Sequence, residues 1–191
     1  MTGYVTKANP TPTKSKGDVL LKIPNKEIMS VFRDTVVEYF KESVSTETIK
    51  ELVSALWDGN EVQATKILSN LLLQTISYND YREDYYHAFL TGVFVGKGYK
   101  VNSNKEQGLG RPDVVLKDQL NERIIIIETK RSEKESDMDK DTDKAIKQII
   151  DEKYVEGIEN IKNYHHILCY GISFFRKQAK VKLMMQEDNA K

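Results

Sequence analysis

Four consecutive isoleucines, Ile124-Ile125-Ile126-Ile127, constrain this chain more than any other segment. Side chains alternate faces along a strand, so an unbroken β-branched run needs apolar cover on both sides of a sheet. The run therefore predicts a central strand with helices above and below it. Fifteen residues before Glu128 lies a second apolar run, Asp113-Val114-Val115-Leu116. The polar segment between the runs, Lys117 to Arg123, reads as the turn of a hairpin, which sets the start of the first strand beside the end of the second.

That pairing brings charge to the edge of a core. The isoleucine run ends in Glu128-Thr129-Lys130. With a rise of about 3.3 Å per residue, Glu128 and Lys130 point the same way, roughly 6–7 Å apart, and Thr129 points away. Asp113 meets them from the other arm. Two converging carboxylates suit a hard divalent cation such as Mg²⁺, and a neighbouring lysine suits the orientation or activation of a water. A plainer reading of the same pattern is that both strands end in charges because they have reached solvent.

The chain has 191 residues, enough for one good core with a helical extension. With 39% hydrophobic and 30% charged residues it has the composition of a folded globular protein rather than a disordered one. No apolar run is long enough to cross a bilayer, and Met1-Thr2-Gly3-Tyr4 does not lead into the apolar core of a signal peptide, so a cytoplasmic location is expected. The single cysteine, Cys169, sits in an apolar run and reads as a buried small hydrophobe. The 29 basic and 29 acidic residues balance, which excludes nonspecific capture of nucleic acid by the whole surface and leaves room only for a local basic patch.

Residues 1–24 carry three of the four prolines and read as a tail or extended segment. Residues 25–77 read as a helical module. Asn25 can cap a helix through about Lys41, Ser45 or Thr46 a second ending near Asp58-Gly59, and Asn60 a third through about Ser77. Their apolar stripes need a partner surface, and nothing in them suggests chemistry. Residues 78–186 read as a mixed α/β unit. A helix over about 79–97 puts Glu83 and His87 on one face; a strand over 99–102, the two strands of the hairpin, a helix over 137–154 and strands over 166–175 and 180–185 follow.

A helix bearing Glu83, Pro112-Asp113 at a strand start, Glu128-Thr129-Lys130 at the end of the next strand, and a following helix with Gln148 together resemble the PD-(D/E)XK nuclease superfamily. More closely, Glu83 with Tyr86-His87, Ser103-Asn104-Lys105-Glu106, Gly110-Arg111 with Asp113, Ala145 with Gln148-Ile149 and Tyr154, and Gly171-Ile172-Ser173-Phe174 resemble the C-terminal nuclease-like domain of bacterial AAA-ATPase-like proteins. The resemblance implies a restriction-endonuclease-like mixed sheet flanked by helices. It also implies a nuclease dependent on Mg²⁺ or Mn²⁺ that acts on nucleic acid, with DNA the expected substrate.

Carried onto this sequence, the resemblance makes Glu83, Asp113 and Glu128 metal ligands, with Lys130 completing the catalytic set. Arg111 and Gln148 become phosphate contacts. His87, read from its own position, is either a supporting group behind the ligands or a satisfied core histidine. One departure is large: the chain has no Gly-X-X-X-X-Gly-Lys phosphate loop, the nearest approach being Gly92 to Lys97, one residue short. The ATPase-like part is thus a possible partner absent from this chain. A nuclease fold kept only for binding or regulation is the alternative reading. Lys140, Lys144 and Lys147 could face nucleic acid, but the interleaved Asp139, Asp141 and Asp143 equally describe a solvated helix face. His165 and His166 read as structural.

Overall fold

The structure, a computed structural model, describes residues 6–7, 21–22, 44–75, 83–95, 100–102, 109–158 and 163–184. The expected helix over 25–41, the loop acid Glu106 and most of the tail lie outside the described residues, as does the side chain of Glu83. Strands β1 (Thr6–Lys7) and β2 (Leu21–Lys22) pair antiparallel with each other. Among the described residues three helices follow, α1 (Thr46–Trp57), α2 (Glu61–Thr75) and α3 (Glu83–Val95). The expected caps form: Ser45 accepts the Thr48 N–H through its hydroxyl, and Asn60 Oδ1 accepts the Gln63 N–H. Gly59, at φ +69°, makes the tight connection between α1 and α2 that a side-chain-bearing residue would adopt only under strain.

The main sheet has five strands in the order β3-β4-β5-β6-β7. These are β3 (Lys100–Asn102), β4 (Val114–Asp118), β5 (Arg123–Arg131), β6 (His166–Phe175) and β7 (Gln178–Leu183), with helix α4 (Met138–Asp151) crossing between β5 and β6. Pairing is antiparallel except between β5 and β6, which run parallel. A parallel neighbour needs a crossover, and α4 supplies it. This is the expected mixed sheet between helices, the restriction-endonuclease-like class.

The isoleucine run occupies the middle of the sheet, and all four residues are fully buried. Alternation splits them. Ile125 and Ile127 join Val114, Leu116, Ile172 and Phe174 in the core shared with α1, α2 and α3. Ile124 and Ile126 join Val115, Cys169, Ile149 and Tyr154 on the face under α4. Burial of Cys169 pushes its thiol up to about 12, so it is a packing residue and no nucleophile at neutral pH.

One edge of the sheet is closed by side chains of α2. The N–H groups of Ala179, Val181 and Leu183 on β7 donate to Ser69 Oγ, Thr65 Oγ1 and Glu61 Oε1, three acceptors spaced one helical turn apart. An otherwise open strand edge is thereby satisfied and covered.

Helix α4 lies unusually close to the sheet at Gly171, the partner of Glu128 in the β5–β6 register. A Cβ on Gly171 would stand 2.5 Å from the Thr142 carbonyl oxygen and 2.9 Å from Ile146 Cγ1. Only glycine lets the helix backbone settle there. Ser173, beside Lys130, is fully buried and shares a 2.8 Å hydrogen bond with Thr142 Oγ1, fixing the same helix one strand step further on. These two small residues bring α4 down over the ends of β5 where the charged cluster lies.

The strand boundaries differ from the sequence expectations by small amounts with local causes. Asp113 does not open β4 but sits in a bend just before it. Helix α4 ends at Asp151 rather than Tyr154 because Lys153 takes a left-handed conformation, φ 51°, and the Tyr154 N–H returns to the Ile149 carbonyl. Strand β7 begins two residues early because Arg176 and Lys177 alone complete the turn, with Arg176 at φ 52°.

Candidate active site

Val114 pairs with Ile127, so the next step of the register sets Asp113 opposite Glu128, on the α4 face of the sheet. Here the hairpin brings together the groups expected from the sequence. Glu128 is buried, its side chain 4% exposed, while Lys130 is 25% exposed. Lys130 Nζ donates to Glu128 Oε1 at 3.0 Å. The pair spans the boundary between core and water: its anion lies inside and its cation reaches solvent.

The second oxygen of that carboxylate, Glu128 Oε2, is buried with no hydrogen-bond partner among the described residues. Buried polar atoms are nearly always satisfied, and a carboxylate oxygen left bare costs free energy. Burial, with the nearby Asp113 carboxylate adding to it, pushes the Glu128 carboxyl up to about 7 from an ordinary 4.5, against the opposing pull of Lys130 and of the Asp113 N–H.

Asp113 is held at both ends. Its carbonyl oxygen accepts from His87 Nε2 at 2.9 Å, which places the proton of that bond on Nε2 because a carbonyl only accepts. Its Oδ2 accepts from both the N–H and the hydroxyl of Thr129, at 2.8 and 2.6 Å. His87 thus reaches the backbone of Asp113 from α3.

The outlying residues divide. Glu83 is the first residue of α3, on the helix that carries His87, and the position of its carboxylate lies outside the described residues. Arg111 is exposed on the segment leading into Asp113. Gln148 turns inward: its Nε2 donates to the Tyr154 hydroxyl at 3.0 Å. Burial pushes the Tyr154 phenol above its ordinary value, against that bond, with the carboxylates of Glu128, Glu152 and Asp113 adding to the rise. Tyr154 therefore lies in the field of the same acids, beneath the site.

Two of the three lysines of α4 pair with acids of the same helix. Lys144 pairs with Asp141 at 2.7 Å and Lys147 with Asp151 at 2.5 Å, while Asp139 and Asp143 pair with Lys180 and Lys182 of β7. His165 meets Glu122 of the hairpin turn at 3.2 Å in an exposed pair remote from the cluster.

Sequence reasoning missed Thr129, whose side chain was expected only to point away, and gave no role to Tyr154 or Gly171. The N–H of Thr129 lies beyond the end of β4, where no backbone carbonyl opposes it.

Among the described residues no three acid, histidine or cysteine side chains converge as a ready cation cage. Two carboxylates nevertheless fit Mg²⁺ or Mn²⁺, because such ions commonly take one or two protein carboxylates and complete their shell with water and substrate phosphate. The orphaned Glu128 Oε2 and the nearby Asp113 carboxylate are oxygen donors of the kind such an ion takes.

This mixed sheet, flanked by helices and carrying Asp and Glu-X-Lys on adjacent strand ends, is that of a restriction-endonuclease-like fold. The sequence model of the PD-(D/E)XK nuclease superfamily matches residues 81–183, more than half of the 191-residue chain. The chain belongs to that superfamily. Among curated proteins no match is found. No helix among the described residues is long and apolar enough to cross a membrane.

Proposed function

We propose that the chain is a metal-dependent nuclease that hydrolyses phosphodiester bonds of nucleic acid, DNA being the favoured substrate, with Asp113, Glu128 and Lys130 as its catalytic set. The observation that carries this reading is the buried Oε2 of Glu128, without a hydrogen-bond partner among the described residues, beside the Asp113 carboxylate and with a solvent-reaching lysine on the same strand face. A purely structural ion pair would have both oxygens satisfied, since leaving one unpaired brings cost without gain.

Asp113 and Glu128 would hold the ion, with Glu83 of α3 as a third ligand. A divalent cation bound there polarises the phosphoryl oxygen and offsets the charge that builds in the transition state. Lys130 orients the attacking water and places a positive charge beside the same phosphoryl group. His87 and Thr129 keep Asp113 in position from opposite ends. Arg111, exposed on the approach to the site, contacts a substrate phosphate, for which its planar fork is suited. Gln148 acts through Tyr154, fixing the phenol under the acids. Because the overall charge is zero, nucleic acid is gripped at the site rather than by the whole surface.

The test is incubation of the protein with labelled single- and double-stranded DNA and RNA, with Mg²⁺ or Mn²⁺ and with chelator. Metal-dependent cleavage of at least one substrate, removed in Asp113→Ala, is the expected result. Cleavage that Asp113→Ala leaves intact sinks the assignment, and the absence of turnover on every substrate favours a nuclease fold retained for binding.

A further inference from the structure

We infer that Thr129, the middle residue of Glu128-Thr129-Lys130, is a positioning residue that fixes the Asp113 carboxylate for cation binding; the inference rests on the metal-dependent reading above. Three observations carry it. First, Thr129 is 2% exposed and sends both its donors, N–H and hydroxyl, to one oxygen, Asp113 Oδ2. Second, the strand register brings no backbone carbonyl to the Thr129 N–H, since β4 begins only at Val114. The carboxylate stands in for the missing ladder acceptor. Third, the His87 bond to the Asp113 carbonyl fixes the other end of the same residue.

The consequence is geometric. A free aspartate at a strand start samples several rotamers, and its two oxygens exchange places. Here the two bonds to Oδ2 lock the torsions and distinguish the oxygens: Oδ2 belongs to the strand and Oδ1 is left for a ligand. Groups that orient a ligating side chain in this way are typically worth about 10–100-fold in metal affinity or activity. The backbone N–H of Thr129 survives any substitution, so the hydroxyl is the separable part. Serine keeps it; valine removes it at nearly constant volume.

The experiment is calorimetric titration of Mn²⁺ into the full chain as wild type, Thr129→Val and Thr129→Ser, with circular dichroism to follow folding. Thr129→Val is expected to bind Mn²⁺ about 10–100-fold more weakly and Thr129→Ser to return to within a few-fold of wild type. A folded Thr129→Val with wild-type affinity, or a folded Thr129→Ser no better than Thr129→Val, overturns the assignment of Thr129 alone. Wild-type protein that takes up no Mn²⁺ overturns this assignment together with the metal-dependent reading.

Discussion

Lys130→Ala is expected to slow single-turnover cleavage of nucleic acid by about 10²–10⁴-fold, the range typical of losing a group that handles the proton or the charge of the attacking water. The protein should stay folded. Lys130 lies at the rim, a quarter exposed, and makes its hydrogen bond to a residue already fixed by strand β5. Its loss removes no packing from either core. Mn²⁺ uptake should persist, because both carboxylates remain and Glu128 Oε1 is released from its bond to Lys130. Lys130→Arg should recover little, since a guanidinium is longer, planar and differently hydrated. Quenched-time-point cleavage assays beside a calorimetric Mn²⁺ titration separate the effects. A rate within threefold of wild type would remove Lys130 from the mechanism.

Glu128→Gln should do the opposite to stability. The Glu128 carboxyl titrates at about 7 in the folded protein and at an ordinary 4.5 when unfolded. Below about pH 4.5 the group is protonated in both states and exacts no penalty. As pH rises from there the unfolded chain releases its proton first, so stability falls until the folded group has also ionised, above about pH 7. The separation of the two values corresponds to about 3 kcal/mol, lost across that window in the metal-free protein. Glutamine has no proton to release, so the metal-free variant should lack this slope and melt above wild type by roughly 6–12 °C at pH 8, given the size of the chain. Chelator-treated thermal melts at pH 5 and pH 8 supply the comparison. Parallel pH dependence in the two proteins would show that Glu128 is not the strained group described here. A carboxylate that destabilises the empty fold is the trade between stability and function expected of a ligand site.

The sheet's centre was legible because four isoleucines cannot alternate polar and apolar faces. The hairpin and the antiparallel approach of Asp113 to Glu128 follow from that run, the apolar run before it and the polar turn between them. Helix starts at Ser45 and Asn60 were legible because their side chains cap. The support around Asp113 was not, since it depends on β4 stopping one residue short of the aspartate, a boundary that no local pattern fixes. The closeness of α4 to Gly171 belongs to tertiary packing, and glycine in a strand signals only that something approaches. Gln148 carried a family expectation of facing phosphate; in the fold one of its amide N–H groups donates to Tyr154, a partner six residues away that becomes adjacent only when Lys153 turns the chain back.

Glu128 Oε2, without a hydrogen-bond partner among the described residues, is proposed to hold a divalent cation together with Asp113. Calorimetric titration of Mn²⁺ into wild type and Glu128→Gln, at pH 6 and pH 8, addresses it most directly. The wild type should bind Mn²⁺ more tightly at pH 8 than at pH 6, because the Glu128 proton must leave before the ion can bind, and Glu128→Gln should lose more than about 100-fold in affinity. Equal affinity in the two proteins, or no binding by the wild type at either pH, would contradict it.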